Sequence, residues 1–404
     1  MRKSVSLKSA RSAASKSGSS PFTARPPDVE RRDAALYVHT PFCVVKCGYC
    51  DFNSYAGVDD DAVQAVLSAM LDELRLRARG LRPRTVFVGG GTPTWLGAQR
   101  LAGFLKDMAA IVDLSGVEEF TCEANPESAT AETLQLAVGQ GVTRFSIGAQ
   151  SFDRERLNFL DRPHSAEDTM GAFAAARATG AAVNLDLIFG LPGETMEQWL
   201  SDLSTALDCG PDHLSCYALT YERGTPLHAR RARGEVRAAP EERTRDMLLE
   251  TRAVLGDAGY DAYEISNYAR PEQACLHNLN YWHGGAYIGI GPGAASHRSG
   301  RRSTNVRALG TYLRWVRDRQ CACDDAETLS PERRCREAIW LALRVVQGAH
   351  LDTITNLTGI DPRVLVGAEI AAAIDAGHCE LVRGALRLLP AGLPFADGIA
   401  ADFL

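Results

Sequence analysis

No run of apolar residues approaches the roughly 18 needed to span a membrane. The N-terminus, MRKSVSLKSARSAASKSGSSPFTARPP, has no compact apolar segment of the kind that marks a secretory signal. Cysteine is thin: 11 in 404 residues, an odd number without the density of a disulfide framework. These absences exclude a helical membrane protein and a disulfide-stapled secreted domain. They point to a reducing, cytoplasmic setting, where clustered thiols are more often metal ligands or catalysts than cystines. The net charge of −6 gives no general reason to expect nucleic acid as a partner. No repeat of about 20 to 50 residues is visible, which excludes a solenoid. With 45% hydrophobic residues the chain can bury a sizeable core, and its length suggests about two domains.

Acidic residues are missing from the first 27 positions, which carry six basic ones (Arg2, Lys3, Lys8, Arg11, Lys16, Arg25) among serine, alanine and proline. Such a segment buries too little to fold, so 1–33 reads as a disordered basic tail. The same composition suits an organellar transit peptide, an alternative to the cytoplasmic location.

Beyond the tail, short β-rich runs alternate with helical stretches. The runs are ALYVHT (35–40), TVFVGGG (85–91), EEFTCEAN (118–125), RFSIGAQ (144–150), VNLDLIFG (183–190) and HLSCYALT (213–220). Helices are expected over about 59–79, 97–112, 130–140 and 195–208, with helical material between 150 and 180. Six strands separated by helices imply βαβ units and a parallel sheet, open or barrel-like. Polar residues collect where those strands end. Gly90, Gly91 and Thr92 close the second, Glu123 the third and Gln150 the fourth, while Asp186 lies within the fifth. In a parallel α/β barrel the C-terminal strand ends converge on one mouth. Each residue alone reads as a turn or cap; together they outline a site.

GGGTP (89–93) lacks the Lys-Ser/Thr of a P-loop and the spacing of a dinucleotide fingerprint, so a phosphate site is not supported. It reads equally well as a backbone cradle for a ligand or as a tight turn. Directly after the first strand comes CVVKCGYCDF (43–52): Cys43, Cys47 and Cys50 in a C-x3-C-x2-C array with no fourth cysteine or histidine nearby. Structural zinc requires four closed ligands. Three thiolates on an iron–sulfur cluster leave one iron open to a substrate or cofactor. Spacing favours the cluster and leaves zinc or free thiols as alternatives.

CVVKCGYC after an opening strand, with GGGTPT (89–94) following, resembles the signature of the radical S-adenosylmethionine superfamily. Members chelate S-adenosylmethionine on the open iron of a [4Fe–4S] cluster and cleave it to a 5′-deoxyadenosyl radical. YVHTPFCVVKCGYCDFNSY, FVGGGTPT, EANP, SIGAQSF, LDLIFGLPGET and HNLNYW narrow the resemblance, from about residue 34 onward. They are similar to the oxygen-independent coproporphyrinogen III oxidases and their HemW-type haem-chaperone relatives. The resemblance implies a partial (β/α)6 TIM-like barrel with a small C-terminal winged-helix-like α+β domain. It implies that Tyr37 and Tyr49 lie against S-adenosylmethionine and that Gly90, Gly91, Thr92, Glu123, Gln150, Arg162 and Asp186 complete its pocket. Arg162 rests on the motif alone. The oxidases carry C-x3-C-x2-C-x-C, whereas the last position here is Phe52, as in the HemW type. They also carry an ordered N-terminal extension that this sequence replaces with the basic tail. The resemblance therefore implies haem as cargo, apo-haemoproteins as acceptors and an electron donor. It leaves open peripheral membrane association, a homodimer, and whether the chain is an enzyme at all.

CLHNLNYWHGGAYIGIGPGAASH (275–297) places histidines, tyrosines and a tryptophan before a glycine-rich, strand-like run. HNLNYW matches a motif associated with haem, which makes His277 the candidate axial ligand, with Cys275 and His283 behind it. The alternative is that His277 packs, hydrogen-bonded, beneath the barrel. The expected organisation is a barrel over 34–270, a connecting region over 271–329 and a small domain over 330–404. In the last, PERRCREAIWLALR, HLDTITNLTG and DPRVLVGAEIAAAIDAG read as three helices, and CELVRGALRLLP as a hairpin about Arg383-Gly384. Residues 330–404 hold 7 Arg and 9 Asp or Glu, net −2, which argues against DNA and for a lid or docking module. Two functions remain: a haem-binding and haem-delivering protein, or a radical enzyme acting on coproporphyrinogen or another substrate.

Overall fold

The computed structural model describes residues 34–404; the expected basic tail at 1–33 lies outside them. β1 (Ala35–Thr40) is followed by α1 (Asp60–Arg77), β2 (Thr85–Gly90) by α2 (Ala98–Ala109), and β3 (Glu119–Ala124) by α3 (Ala131–Val138). After β4 (Arg144–Gln150) come α4 (Arg154–Phe159) and α5 (Ala166–Ala178). β5 (Ala182–Phe189) leads to α6 (Met196–Cys209), and β6 (His213–Ala218) to α7 (Pro226–Ala232) and α8 (Glu241–Asp257). All six sequence-expected strands are present, paired in parallel in chain order, and wound as a partial (β/α)6 barrel. Capping residues start the helices: Asp59, Thr130, Ser165 and Thr195 each accept a backbone N–H from the first turn.

Strand alternation separates two faces. Leu36, Val38, Val86, Val88, Phe120, Phe145, Ile147, Leu185 and Leu214 bury against the helices in one continuous core. The opposite face carries Tyr37, Thr121, Glu123, Ser146, Asp186 and Ser215 into the barrel.

The stretch 271–329, expected to connect two domains, instead extends the sheet. Just before it, β7 (Asp261–Ala262) and β8 (Asn267–Ala269) close the β6 edge antiparallel. After α9 (Leu276–Trp282), β9 (Tyr287–Ile290) pairs parallel with β1 on the other edge. β10 (Ala295–Arg298), β11 (Arg301–Asn305) and β12 (Cys323–Thr328) continue it antiparallel, with α10 (Leu309–Arg319) between the last two. A buried carboxylate fastens this extension to α1. Glu73 accepts from Gly291 N (2.9 Å), Asn305 Nδ2 (2.8 Å) and Tyr312 Oη (2.7 Å), while Arg77 pairs with Glu73 and donates to Gly289 O.

The C-terminal unit has its own core of Ile339, Leu343, Leu351, Ile354, Val366, Leu386 and Phe403. It comprises α11 (Pro331–Ala342), β13 (Ala349–His350), α12 (Leu351–Thr358), α13 (Pro362–Leu365), α14 (Gly367–Asp375), β14 (Cys379–Val382), β15 (Ala385–Leu388) and α15 (Ala396–Ala401). The expected third helix is broken at Val366, which leaves helical backbone (φ −132°, ψ 30°) to bury its side chain, with Gly367 restarting the next helix. The wing forms as expected: Arg383 (φ 51°) and Gly384 (φ 80°) turn β14 into β15, both left-handed, as a two-residue hairpin with matched twist requires.

Candidate functional site

The cysteine loop leaves β1 at the barrel mouth and is pinned at both ends. Phe42 bridges Tyr55, Cys43 N donates to Tyr55 O (3.1 Å), and Phe42 stacks on Trp95. Within the loop Cys50 N donates to Cys47 O, and Gly48 packs so close to Asp161 that a Cβ would lie 2.5 Å from its carboxylate. Thr92 Oγ1 donates to Cys43 Sγ (3.4 Å) and Arg162 Nη1 to Cys47 Sγ (3.5 Å). Burial pushes the Cys43 thiol up, against the Thr92 hydrogen bond, and the Cys50 thiol up to about 11. Among the described residues, no three His, Cys, Asp or Glu converge on a single ion. Ligands of a polynuclear cluster bind different irons and need not converge.

The glycine stretch packs tightly against β1 and the cysteine loop. A Cβ on Gly90 (φ +95°) would meet His39 Nδ1 at 2.2 Å, and one on Gly91 would meet Thr40 O at 2.5 Å. Gly91 N and Thr92 N donate to Thr40 O and Phe42 O, tying β2 to the cysteine loop. Glu123 accepts from Gly90 N (2.8 Å). Burial, opposed by that hydrogen bond and reinforced by Asp186, pushes its carboxyl up to about 8. Burial likewise raises Asp186, against hydrogen bonds from Ser215, Asn184 and Ser146. Gln150 ends β4 with φ 63° at a register shift, an unusual conformation for a residue with a side chain.

Arg162 joins these parts. Its Nη2 donates to Asn125 Oδ1 and Gly148 O, both at 2.8 Å, and its Nε is buried without a partner. Burial opposes its charge, yet Tyr49, Cys47 and Glu127 around it keep the guanidinium protonated. A cavity of about 390 Å³ opens between the thiols and the strand ends. Cys43, Cys47, Cys50, Tyr49, Gly90, Gly91, Thr92, Glu123, Gln150, Arg162 and Asp186 all line it. Tyr37 does not: alternation puts it one layer below His39, to which its hydroxyl is bonded at 2.8 Å, and it faces a different cavity. Asn125 was missed in the sequence; its Nδ2 donates to Thr92 Oγ1 (2.9 Å) and its Oδ1 receives Arg162. The signal was available, since Asn125 directly follows the end of β3, two positions beyond Glu123. Phe52 is 58% exposed on the cavity rim.

At the opposite end α9 plugs the barrel. Glu119, at the start of β3, accepts from Leu276 N (2.8 Å), His277 N (3.1 Å) and Cys275 Sγ (3.2 Å). His277 is fully buried, and burial pushes its imidazole down to about 3. Thr85 Oγ1 engages its Nδ1 (2.9 Å) and Tyr281 Oη its Nε2 (3.0 Å), so neither nitrogen is presented to a ligand here. Cys275 is fully buried as well, its thiol pushed up to about 12 by burial, and His283 caps the helix on the surface.

The mouth suits the cofactors its sequence implies. Three thiols lie beside an arginine with a spare donor, and the adjoining glycine backbone tolerates no side chain. The family model described as the radical SAM superfamily matches residues 37–206, and the HemN C-terminal domain matches 329–395. The chain is 39% identical over 325 residues to the heme chaperone HemW of Mycobacterium tuberculosis, covering 78% of this chain and 83% of that one. It is 39% identical over 300 residues to HemW of Escherichia coli, covering 70% and 78%. A mouse relative, radical S-adenosyl methionine domain-containing protein 1, mitochondrial, is 43% identical over 276 residues (67% and 62%). Among solved structures, the coproporphyrinogen III oxidase HemN of E. coli superposes with a TM-score of 0.80 at 21% identity, covering 93% of this chain and 90% of that one.

Proposed function

The chain belongs to the HemW family of the radical SAM superfamily, and on that premise we propose that it is a haem chaperone, binding haem and delivering it to apo-haemoproteins. The observation that carries this reading over coproporphyrinogen oxidation is Phe52, an exposed phenyl ring at the rim where the oxidase-type motif has a further cysteine. Cys43, Cys47 and Cys50 hold a [4Fe–4S] cluster, and the cavity beside them takes S-adenosylmethionine. Together these groups supply one-electron reductive chemistry when a donor reduces the cluster. The chain's own residues bind and orient. Gly90 and Gly91 hold the cavity wall tight against β1 and the cysteine loop, Arg162 offsets thiolate charge, and Glu123, Gln150 and Asp186 offer polar ends to the amino acid moiety. No helix among the described residues is long and apolar enough to cross a membrane. With all 11 cysteines free, the cytoplasm suits the chain best.

Transfer tests the proposal. Anaerobically reconstituted protein, loaded with one equivalent of haem, should convert an apo-haemoprotein to its holo spectrum faster than free haem bound to albumin does. Retention of the haem, or no binding at all, would overturn it. Wild-type protein should also carry about four irons and four sulfides, and the Cys43, Cys47, Cys50 triple-alanine variant almost none. A variant that keeps its iron would move the cluster to other cysteines.

A further inference from the structure

A second cavity, of about 440 Å³, lies at the lower side of the barrel, between α9, β9–β11 and the first helix of the C-terminal unit. Its wall is aromatic: Tyr37, Tyr281, Trp282, Tyr287 and Trp340. Tyr281 and Tyr287 meet edge-to-face with ring centroids 4.7 Å apart, and the buried indole N–H of Trp282 has no partner. The volume falls within the range of small-molecule sites, about 300–1,000 Å³. One imidazole lines it, that of His297 on β10, 6.1 Å from the Tyr287 ring. Gly285 O accepts from His297 Nδ1 at a long 3.5 Å. A metal-ligating histidine commonly donates one ring N–H to a carbonyl in this way, leaving the other nitrogen for the metal.

The HNLNYW helix builds this wall. His277 Nε2 holds the Tyr281 hydroxyl, which fixes that ring in the lining. Asn280 O accepts from Gly285 N (2.8 Å), and a Cβ on Gly285 would lie 2.1 Å from Asn280 Oδ1. Asn280 thus sets the turn whose carbonyl orients His297. Arg302 lines the cavity too, ion-paired with Glu327 and Glu337, and is the cation on its rim.

We infer that the lower cavity is the haem site, with His297 as axial ligand and His277 as a positioning residue that acts through Tyr281. The inference rests on the haem-chaperone reading and names its site. A planar iron macrocycle needs a wide apolar face and an axial side chain, and this cavity offers both. The cluster mouth, by contrast, has no imidazole in its lining, and its apolar residues are interrupted by three thiols, Glu123, Asp186 and Arg162.

The test is haem titration of the reconstituted full chain, read by affinity and by the Soret band, with iron–sulfur absorbance monitored as a control. His297→Gly should shift the Soret band and weaken binding about 10- to 100-fold, the scale of losses at metal sites. Added imidazole should restore the wild-type band. Ala295→Phe, which fills the cavity from an exposed position, should weaken binding with the ligand intact. His277→Ala should lower affinity without moving the band. A His297→Gly variant with wild-type band and affinity would overturn the inference, as would a band moved by His277→Ala. Wild-type protein that binds no haem would instead sink the haem reading itself.

Discussion

Gly90 and Gly210 both hold positive φ, at 95° and 69°, but differ in what surrounds them. Nothing lies within 4 Å of a Cβ built on Gly210, so Gly210→Ala should cost about 1 kcal/mol of backbone strain. At Gly90 the same methyl meets the His39 ring, which is itself bonded to Asn53 O. Gly90→Ala should cost about 3 kcal/mol or more in urea denaturation, and equal costs would remove the argument that the cradle excludes a side chain. Glu123 gives a pH dependence. Its carboxyl is raised from the ordinary value near 4.5 to about 8, so the folded chain binds a proton that the unfolded chain releases. The stability this contributes is complete below about pH 4.5 and is lost as pH rises through about 8. Glu123→Gln can still accept from Gly90 N and removes that loss. In the cofactor-free protein it should be more stable than wild type at pH 8, by about 1 kcal/mol or more at 1.36 kcal/mol per pKa unit. The two should converge near pH 5, and parallel melting curves across that range would contradict the assignment. At this scale the cysteines, glycines and strand-end carboxylates were legible because each departs from its local pattern. Arg162 was not, because its role comes from a turn after α4 that carries it back to Cys47, 115 positions earlier.

α9 shows how an element can be recognised while its place is not. Seven residues are too few for a stable helix in isolation. The Glu119 carboxylate substitutes for a cap by receiving the Leu276 and His277 amides. Glu119→Ala would leave those buried donors unpaired at about 1–3 kcal/mol each. Hydrogen exchange in α9 should therefore accelerate about tenfold or more, while exchange in α2 should not change. Equal acceleration in both would mean general destabilisation rather than loss of an anchor. The six inner strands were readable as short runs carrying Val, Ile, Leu, Phe or Cys at alternate positions between helical stretches. β11 and β12 were not: RRSTN and CDDAET are polar, largely exposed edge sequences with no hydrophobic alternation. What orders them is the pairing of β11 with β10 and of β12 with β11, together with the hydrogen bonds from Glu73 and Arg77 to Asn305, which join positions more than 200 residues apart in sequence.

Among the described residues, two cavities lie toward opposite ends of one barrel. The upper is built from strand C-termini and the cysteine loop, the lower from α9, β9–β11 and the C-terminal unit. Tyr37 belongs to the lower one, and its hydroxyl contacts His39, whose ring packs against Gly90 at the upper one. The alternative function uses the upper cavity for porphyrinogen chemistry, and the fold shared with a coproporphyrinogen oxidase does not distinguish the two. The decisive measurement is therefore a paired one on the reconstituted wild-type chain: haem titration beside a coproporphyrinogen III assay with S-adenosylmethionine and a competent reductant. The account predicts saturable haem binding and no protoporphyrinogen IX. Clear conversion of coproporphyrinogen III to protoporphyrinogen IX would contradict it.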